Sequence, residues 1–215
     1  VDKAIPMVSD ILPKMNPEQM GLALMKAQEM CFAKGLTSVA DAYMENEVVH
    51  LIDSMQQSGE LKMNIYGMLV PSEENRKEFL AVGPYVTNKL NIHAFKYFAD
   101  GALGSRGAKL IDPYHDDLSN SGLSTLDSVA FLTDLKLMYD KGFKVNTRCI
   151  GDRANREVLN AYGKVIKGTN DRRWRIEHAQ IMNPNDFELF RMYTIIPSVQ
   201  PTHATSDMPW AEERI

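Results

Sequence analysis

The chain has 215 residues; 44% of them are hydrophobic, 24% are charged, and the formal net charge at pH 7 is -4. This balance is typical of a soluble globular chain and excludes collagen-like, disordered and disulfide-scaffold classes. The acidic balance does not favour binding to nucleic acid or to an anionic membrane surface, because both attract clustered positive charge. The chain also has no run of about 20 consecutive apolar residues, the length that spans a membrane. The two cysteines, Cys31 and Cys149, lie far apart, which favours reduced thiols in a cytoplasmic protein.

Hydrophobic residues recur at alternating helical and strand spacings along the chain. The first helix begins with Asn16, Pro17 and Gln19, a capping box with proline at the first helical position. Further helices are predicted over 46–57, 72–80, 124–139, 152–166, and from 183 and 207 onwards. Strands are predicted over 36–41, 62–70, 92–98, 143–149, 174–179 and 194–199. This alternation predicts right-handed βαβ crossovers and a parallel sheet.

Two architectures suit such an alternation, an open doubly wound sheet and a (β/α) barrel. A doubly wound nucleotide fold needs a glycine-rich turn directly after a strand. The glycines of the predicted loop 101–122 have neither the G-x-G-x-x-G nor the G-x-x-x-x-G-K spacing. Polar residues lie instead at the carboxyl ends of predicted strands, as in barrel enzymes. We therefore expect an α/β fold in which residues 1–215 form a single partial (β/α)-barrel domain.

Four of these strand ends carry residues suited to a reactive site: Lys96, Arg148, His178 and His203. In one parallel sheet they would meet at one rim, and histidine is the commonest metal ligand. Each histidine also has a plainer interpretation, because His178 suits a hydrogen-bonded core histidine and His203 suits a turn.

The two basic residues have plainer interpretations as well. Lys96 would either extend its amino group outwards or pair with Asp100. Arg148 would pair with Asp152 or Glu177 at the rim of the sheet. Spacing alone leaves these alternatives open.

Four segments in this order resemble the amidohydrolase superfamily, in the branch of N-substituted formamide deformylases and related predicted metal-dependent hydrolases. They are KYFADGALGSR at 96–106, VNTRCIGDRA at 145–154, RIEHAQ at 175–180 and VQPTH at 199–203. The resemblance implies a TIM barrel and metal-dependent hydrolysis of non-peptide carbon–nitrogen bonds in a small-molecule substrate.

The resemblance also implies a metal centre. Lys96 matches the fourth-strand lysine, often carboxylated, and His178 matches the sixth-strand histidine. Arg148 occupies the fifth-strand position where the family has a histidine ligand. A divalent metal is implied, with zinc expected in complete relatives.

The remaining candidate residues are implied to lie on the substrate side of that centre. His203 matches a histidine after the seventh strand that faces substrate. Asp100, Arg106 and Asp152 fall within the family's motifs and are expected to support substrate binding.

The chain departs from the family pattern in ways that bear on activity. It has no H-x-H motif and no eighth-strand aspartate, so we expect it to supply barrel strands two to seven. A guanidinium has no lone pair and stays protonated, so Arg148 cannot coordinate a metal and would repel one. We therefore expect an uncarboxylated Lys96, weak or absent metal binding and an inactive fragment. The alternative is a non-catalytic module that binds an anionic small molecule. Open sheet edges predict a homo-oligomer.

Overall fold

A computed structural model describes residues 7–8 and 11–215, and strand–helix alternation runs through this part of the chain. The helices are α1 Pro17–Phe32, α2 Asn46–Gln57, α3 Glu73–Val82, α4 Ser128–Asp140, α5 Asp152–Ile166, α6 Phe187–Tyr193, α7 His203–Ser206 and α8 Met208–Ala211. The strands are β1 Ser38–Met44, β2 Asn64–Leu69, β3 Tyr85–Val86, β4 Leu90–Phe98, β5 Lys144–Cys149, β6 Arg175–His178 and β7 Ile196–Ser198. The predicted alternation is therefore confirmed.

Side-chain caps mark where three of the helices begin, at Asn16, Ser72 and Asp127. Asn16 accepts a hydrogen bond from the backbone of Gln19 (2.9 Å), and the Gln19 side chain accepts from the Asn16 backbone (3.0 Å), so the predicted capping box is present. Helix α4 is capped by Asp127, which accepts from two amides of the first turn at 3.0 and 2.8 Å. This helix was predicted from residue 124 but begins at Ser128, because Asp127 takes the capping position, and the Ser124 hydroxyl donates to the Leu126 carbonyl instead.

The chain divides into two compact units, Val1–Lys96 and Tyr97–Ile215. In the first unit, β1 pairs with β2 and β2 with β4, both in parallel, while the short β3 pairs antiparallel with β4. Helix α1 is tied to the approach to β2 by the buried Gln28, whose Oε1 accepts from the Met63 amide (3.0 Å) and whose Nε2 donates to the Glu60 carbonyl (3.2 Å). The single-domain boundary stays a prediction.

In the second unit, β5 pairs with β6 and β6 with β7, again in parallel. The residue after β4 joins this sheet, because the Ala99 amide donates to the Arg148 carbonyl (2.9 Å). Helix α5 packs on the sheet through the fully buried Tyr162, whose hydroxyl donates to Thr147 Oγ1 (2.8 Å). The Tyr162 and Trp174 rings meet edge to face at 4.9 Å, so aromatic packing anchors this helix layer.

Two further observations concern membrane spans and the state of the cysteines. Among the described residues, none of the helices has both the length and the apolar character needed to cross a bilayer. Cys31 and Cys149 are both free thiols, as predicted.

Candidate active site

Lys96 lies near the carboxyl end of β4 and is 3% exposed. It is the last residue of the first unit, whereas the other candidate residues belong to the second. That the Lys96 side chain lies close to Arg148 and His178 stays a prediction from the sequence.

Asp100, two residues after β4, is the most buried candidate in the second unit, with 1% of its surface exposed. Its carboxylate accepts hydrogen bonds from the backbone amides of Lys109 (2.9 Å), Ile150 (2.9 Å) and Gly151 (2.8 Å). Burial raises the pKa of Asp100, against the opposing effect of these hydrogen bonds and of the charge on Arg148. Asp100 thus joins the loop 101–122 to the turn between β5 and α5.

Arg148 is half-buried at the end of β5, where its Nη1 donates to the backbone carbonyl of Asp100 (3.4 Å). Its register partner on β6 is Glu177, but the ion-pair partner of Glu177 is Arg175 (2.6 Å). The charge of Arg148 opposes the rise in the pKa of Asp100, and the predicted pair of Arg148 with Glu177 is not the arrangement found.

Asp152 and Arg106 both fasten the loop 101–122. Asp152 Oδ1 accepts from the backbone amides of Ile111 (2.9 Å) and Arg153 (2.8 Å). Arg106 donates twice to Asp116, at 2.9 and 2.7 Å. These contacts place both residues in the loop's framework, and the predicted contact of each with substrate stays a prediction.

His178 and His203 line one groove of about 290 Å³ in the second unit, between the ends of β6 and β7 and the helices α7 and α8. We call it the β6–β7 groove. The two imidazole rings lie edge to face with centroids 6.1 Å apart. That the two residues share a functional site stays a prediction. The other lining residues are mostly apolar, including Leu103, Ile181, Val199, Pro201 and Ala204.

A glutamine orients His178 within the groove. The Gln200 Nε2 donates to the Ser198 carbonyl (3.1 Å), which leaves Gln200 Oε1 to face His178 Nδ1 at 2.6 Å. An amide oxygen only accepts, so Nδ1 carries the proton and the lone pair of the neutral ring is on Nε2.

Sequence reasoning missed Asp207 and Gln180, which also line this groove. Asp207 Oδ2 lies 2.9 Å from His203 Nδ1 and accepts from Gln180 Nε2 at 2.7 Å. One signal was available, because Asp207 follows His203 by four residues, the spacing at which side chains meet on one helical face.

A family model described as "Amidohydrolase family" matches residues 1–215. The chain belongs to the amidohydrolase family. It is 31% identical over 221 residues to "Putative amidohydrolase YtcJ" of Bacillus subtilis (strain 168), covering 100% of this chain and 41% of that protein. It is 28% identical over 222 residues to "Protein LONG AFTER FAR-RED 3" of Arabidopsis thaliana, covering 96% of this chain and 38% of that protein. The chain thus spans about two-fifths of the length of the curated relatives it matches.

Two solved structures share the fold of this amidohydrolase chain. A crystal structure of a metal-dependent hydrolase from Pyrococcus furiosus matches with a TM-score of 0.87 and 24% identity, over 100% of this chain and 44% of that one. A crystal structure of a metal-dependent hydrolase from Pyrococcus horikoshii OT3 matches with a TM-score of 0.84 and 27% identity, over 94% of this chain and 40% of that one. These matches confirm the predicted α/β class, with six parallel strands of an incomplete (β/α) barrel. The formamide-deformylase branch stays a prediction.

The amidohydrolase family and the metal-dependent neighbours point to a divalent metal, which needs several donor side chains grouped around it. Within residues 7–8 and 11–215, no three or more His, Cys, Asp or Glu side chains are grouped so as to hold a metal ion. At the fifth-strand position, Arg148 offers a permanent cation and no lone pair. The donors of the described residues therefore do not fit a complete metal centre.

Proposed function

We propose that this chain is part of a hydrolase of non-peptide, amide-type carbon–nitrogen bonds, and that the 215-residue chain by itself is inactive and poor in metal. Membership of the amidohydrolase family supports hydrolysis in general. The carbon–nitrogen bond is proposed on the likeness of the four motifs to that family.

The observation that carries the inactive part of the proposal is the environment of Arg148. Its guanidinium donates to the Asp100 carbonyl, and its neighbour Cys149 is the register partner of His178. A cation held at this point of the sheet opposes a divalent cation bound through His178 by direct charge repulsion. We therefore propose that the ordinary ligand set is interrupted here.

The described residues still suit the binding of a neutral polar substrate. The β6–β7 groove has apolar walls and a few polar groups, the usual make-up of a small-molecule site. His178 and His203 would orient a polar group of the substrate there. Asp100 and Asp152 would hold the loop 101–122 in place beside the turn that follows β5.

The decisive experiment combines metal analysis of the purified chain with its intact mass. We expect no stoichiometric divalent metal and no mass added by a carboxylated Lys96. Arg148→His should raise the bound zinc after dialysis against a zinc buffer. Arg153→His is the matched control, because Arg153 lies in the same motif but is exposed and pairs with Glu157 at 3.1 Å. Stoichiometric metal in the unaltered chain would overturn the proposed inactivity.

The second candidate is a non-catalytic module that binds an anionic small molecule through Arg148. It is favoured by the partial exposure of Arg148, whose contact with Asp100 is a long hydrogen bond to a carbonyl (3.4 Å). Calorimetric titration with inorganic phosphate and with acetate separates the candidates. Binding that is lost in Arg148→Gln and retained in Arg153→Gln would support the module; no binding of either anion would count against it.

We also propose a cytoplasmic homo-oligomer whose ligand is a small molecule and which binds neither nucleic acid nor membranes. The net charge of -4 and the lack of a long apolar run in the sequence support the exclusion of nucleic acid and membranes, and the open sheet edges expected of a partial barrel support the assembly. Gel filtration with light scattering over a range of concentrations tests the assembly. A monomer at high concentration would contradict it.

A further inference from the structure

Asp207 is the one acidic side chain in the lining of the β6–β7 groove. Its carboxylate is 16% exposed, compared with 33% for the His203 ring beside it. Its Oδ1 accepts from the Ser206 hydroxyl (2.8 Å), and its Oδ2 accepts from Gln180 (2.7 Å). Two neutral donors, Ser206 and Gln180, therefore hold the carboxylate in place without any contribution from His203.

The chain that carries Gln180 is itself held in an unusual conformation. His178 and Ala179 both have left-handed backbones, with φ of 76° and 44°. Such a conformation in a non-glycine residue costs about 1–3 kcal/mol and persists where its surroundings enforce it. The hydrogen bond from Gln180 to Asp207 is one contact that holds this turn.

The proton position on His203 follows from its partner. Asp207 Oδ2 lies 2.9 Å from His203 Nδ1, and an ionised carboxylate can only accept. A neutral His203 in this contact is therefore protonated on Nδ1 and carries its lone pair on Nε2. Hydrogen bonding at one ring nitrogen in this way sets the role of the other.

We propose that Asp207, clamped by Gln180, is a positioning residue that holds His203 in the Nδ1–H tautomer and so makes Nε2 a hydrogen-bond acceptor in the β6–β7 groove. The fitting ligand group is a donor, such as the N–H of a secondary amide, set among the apolar walls of the groove. Only the choice of an amide rests on the proposed function.

The tautomer can be measured directly in the 215-residue chain. Two-bond ¹H–¹⁵N correlation spectra, recorded about two pH units above the ordinary histidine pKa of ~6.5, distinguish the protonated from the unprotonated ring nitrogen. We expect His203 to be protonated on Nδ1. Protonation on Nε2 in the unaltered chain would overturn the proposal.

Two variants and a control test the clamp. Asp207→Leu removes the acceptor and should shift His203 to the Nε2–H tautomer. Gln180→Ala keeps the carboxylate but removes the donor to Oδ2, the oxygen that faces His203, so a mixture of tautomers is expected. Asp171→Leu is the control, since Asp171 is an exposed aspartate paired with Arg173. An unchanged tautomer in Gln180→Ala would contradict the clamp even if Asp207→Leu failed to fold.

A pair of amide probes tests the acceptor. N-methylacetamide has an N–H donor and N,N-dimethylacetamide has none. We expect the first to shift the His203 Nε2 resonance more than the second at equal concentration, and the difference to become smaller in Gln180→Ala. Equal shifts, or no shift with either probe, would overturn the assignment of Nε2 as an acceptor. The metal content and the Arg148 variants decide the proposed function separately.

Discussion

A Cβ atom on Gly151 would lie 2.0 Å from the backbone carbonyl oxygen of Lys109. The turn between β5 and α5 therefore lies directly against the loop 101–122, with room for a hydrogen atom only. Asp100 hydrogen-bonds to the amides of these same two residues. Close packing and hydrogen bonding thus fix the same junction.

Gly151→Ala should destabilise the second unit. The clashing atoms belong to the backbone and cannot rotate away, so we expect a loss of about 1–3 kcal/mol or more in the free energy of unfolding. Urea unfolding followed by tryptophan fluorescence measures it. Gly104→Ala is the control, because a Cβ there meets the Trp210 ring at an ordinary 3.6 Å. Equal stability of the two variants would contradict the close approach.

Asp100→Ala should also destabilise the fold, because it leaves the amides of Lys109, Ile150 and Gly151 without their acceptor. At about 1–3 kcal/mol for each unsatisfied buried donor, the loss should be at least ~3 kcal/mol. Asp116→Ala serves as a comparison, since its carboxylate pairs with arginine side chains on a more exposed surface. A smaller loss for Asp100→Ala than for Asp116→Ala would count against the role of Asp100.

Because burial raises the pKa of Asp100, the free energy of unfolding should depend on pH. The folded chain holds this proton more tightly than the unfolded chain, whose carboxyl has an ordinary pKa near 3.8. The stability contributed by the protonated group is complete below that pH and is lost as pH rises through the folded pKa. The stability of the unaltered chain relative to Asp100→Asn should therefore decrease as pH rises. A difference that increases with pH would mean that the pKa is lowered.

Tyr114 should make the fold sensitive to alkali. Burial, together with the charge of Asp100, raises the pKa of Tyr114 to about 12. The unfolded side chain ionises near pH 10, so stability contributed by the neutral hydroxyl is present below pH 10 and lost as pH rises towards 12. Tyr114→Phe should lose less stability over that interval, although it forfeits the hydrogen bond to the Ala108 carbonyl (2.7 Å). Equal losses of stability in the unaltered chain and in Tyr114→Phe would show that Tyr114 is not the source of the sensitivity to alkali.

Gln28→Ala should weaken the attachment of α1 in the first unit. It removes the acceptor of the Met63 amide, in a buried contact, and the donor to the Glu60 carbonyl, in a part-buried one. We expect a loss of about 1–3 kcal/mol. Gln57→Ala is the control, since Gln57 makes an exposed contact with Asp53. Thermal melting followed by circular dichroism compares the two.

Sequence periodicity predicted the second unit's elements best where burial is one-sided. Helix α5 begins and ends where predicted, at Asp152 and Ile166, because its apolar face packs on the sheet. Strand β1 was predicted over 36–41 but runs over Ser38–Met44. Most of its residues are exposed, so no hydrophobic alternation marks its bounds.

The site was less accessible to sequence reasoning because its contacts join distant segments. The motifs placed His178 and His203 at strand ends, and they do line one groove. The pairing of Gln180 with Asp207 spans 27 residues and depends on the left-handed turn at His178. The spacing of hydrophobic residues does not predict a left-handed backbone at a histidine.

The junction at Asp100 has a consequence for how this part of the molecule opens. The amide protons of Lys109, Ile150 and Gly151 share a single acceptor group, although they lie up to 42 residues apart in the chain. Each of these amides can exchange its proton only after its hydrogen bond to that carboxylate breaks. Hydrogen exchange at these three positions should therefore be slow and should proceed at one common rate, as a single cooperative opening.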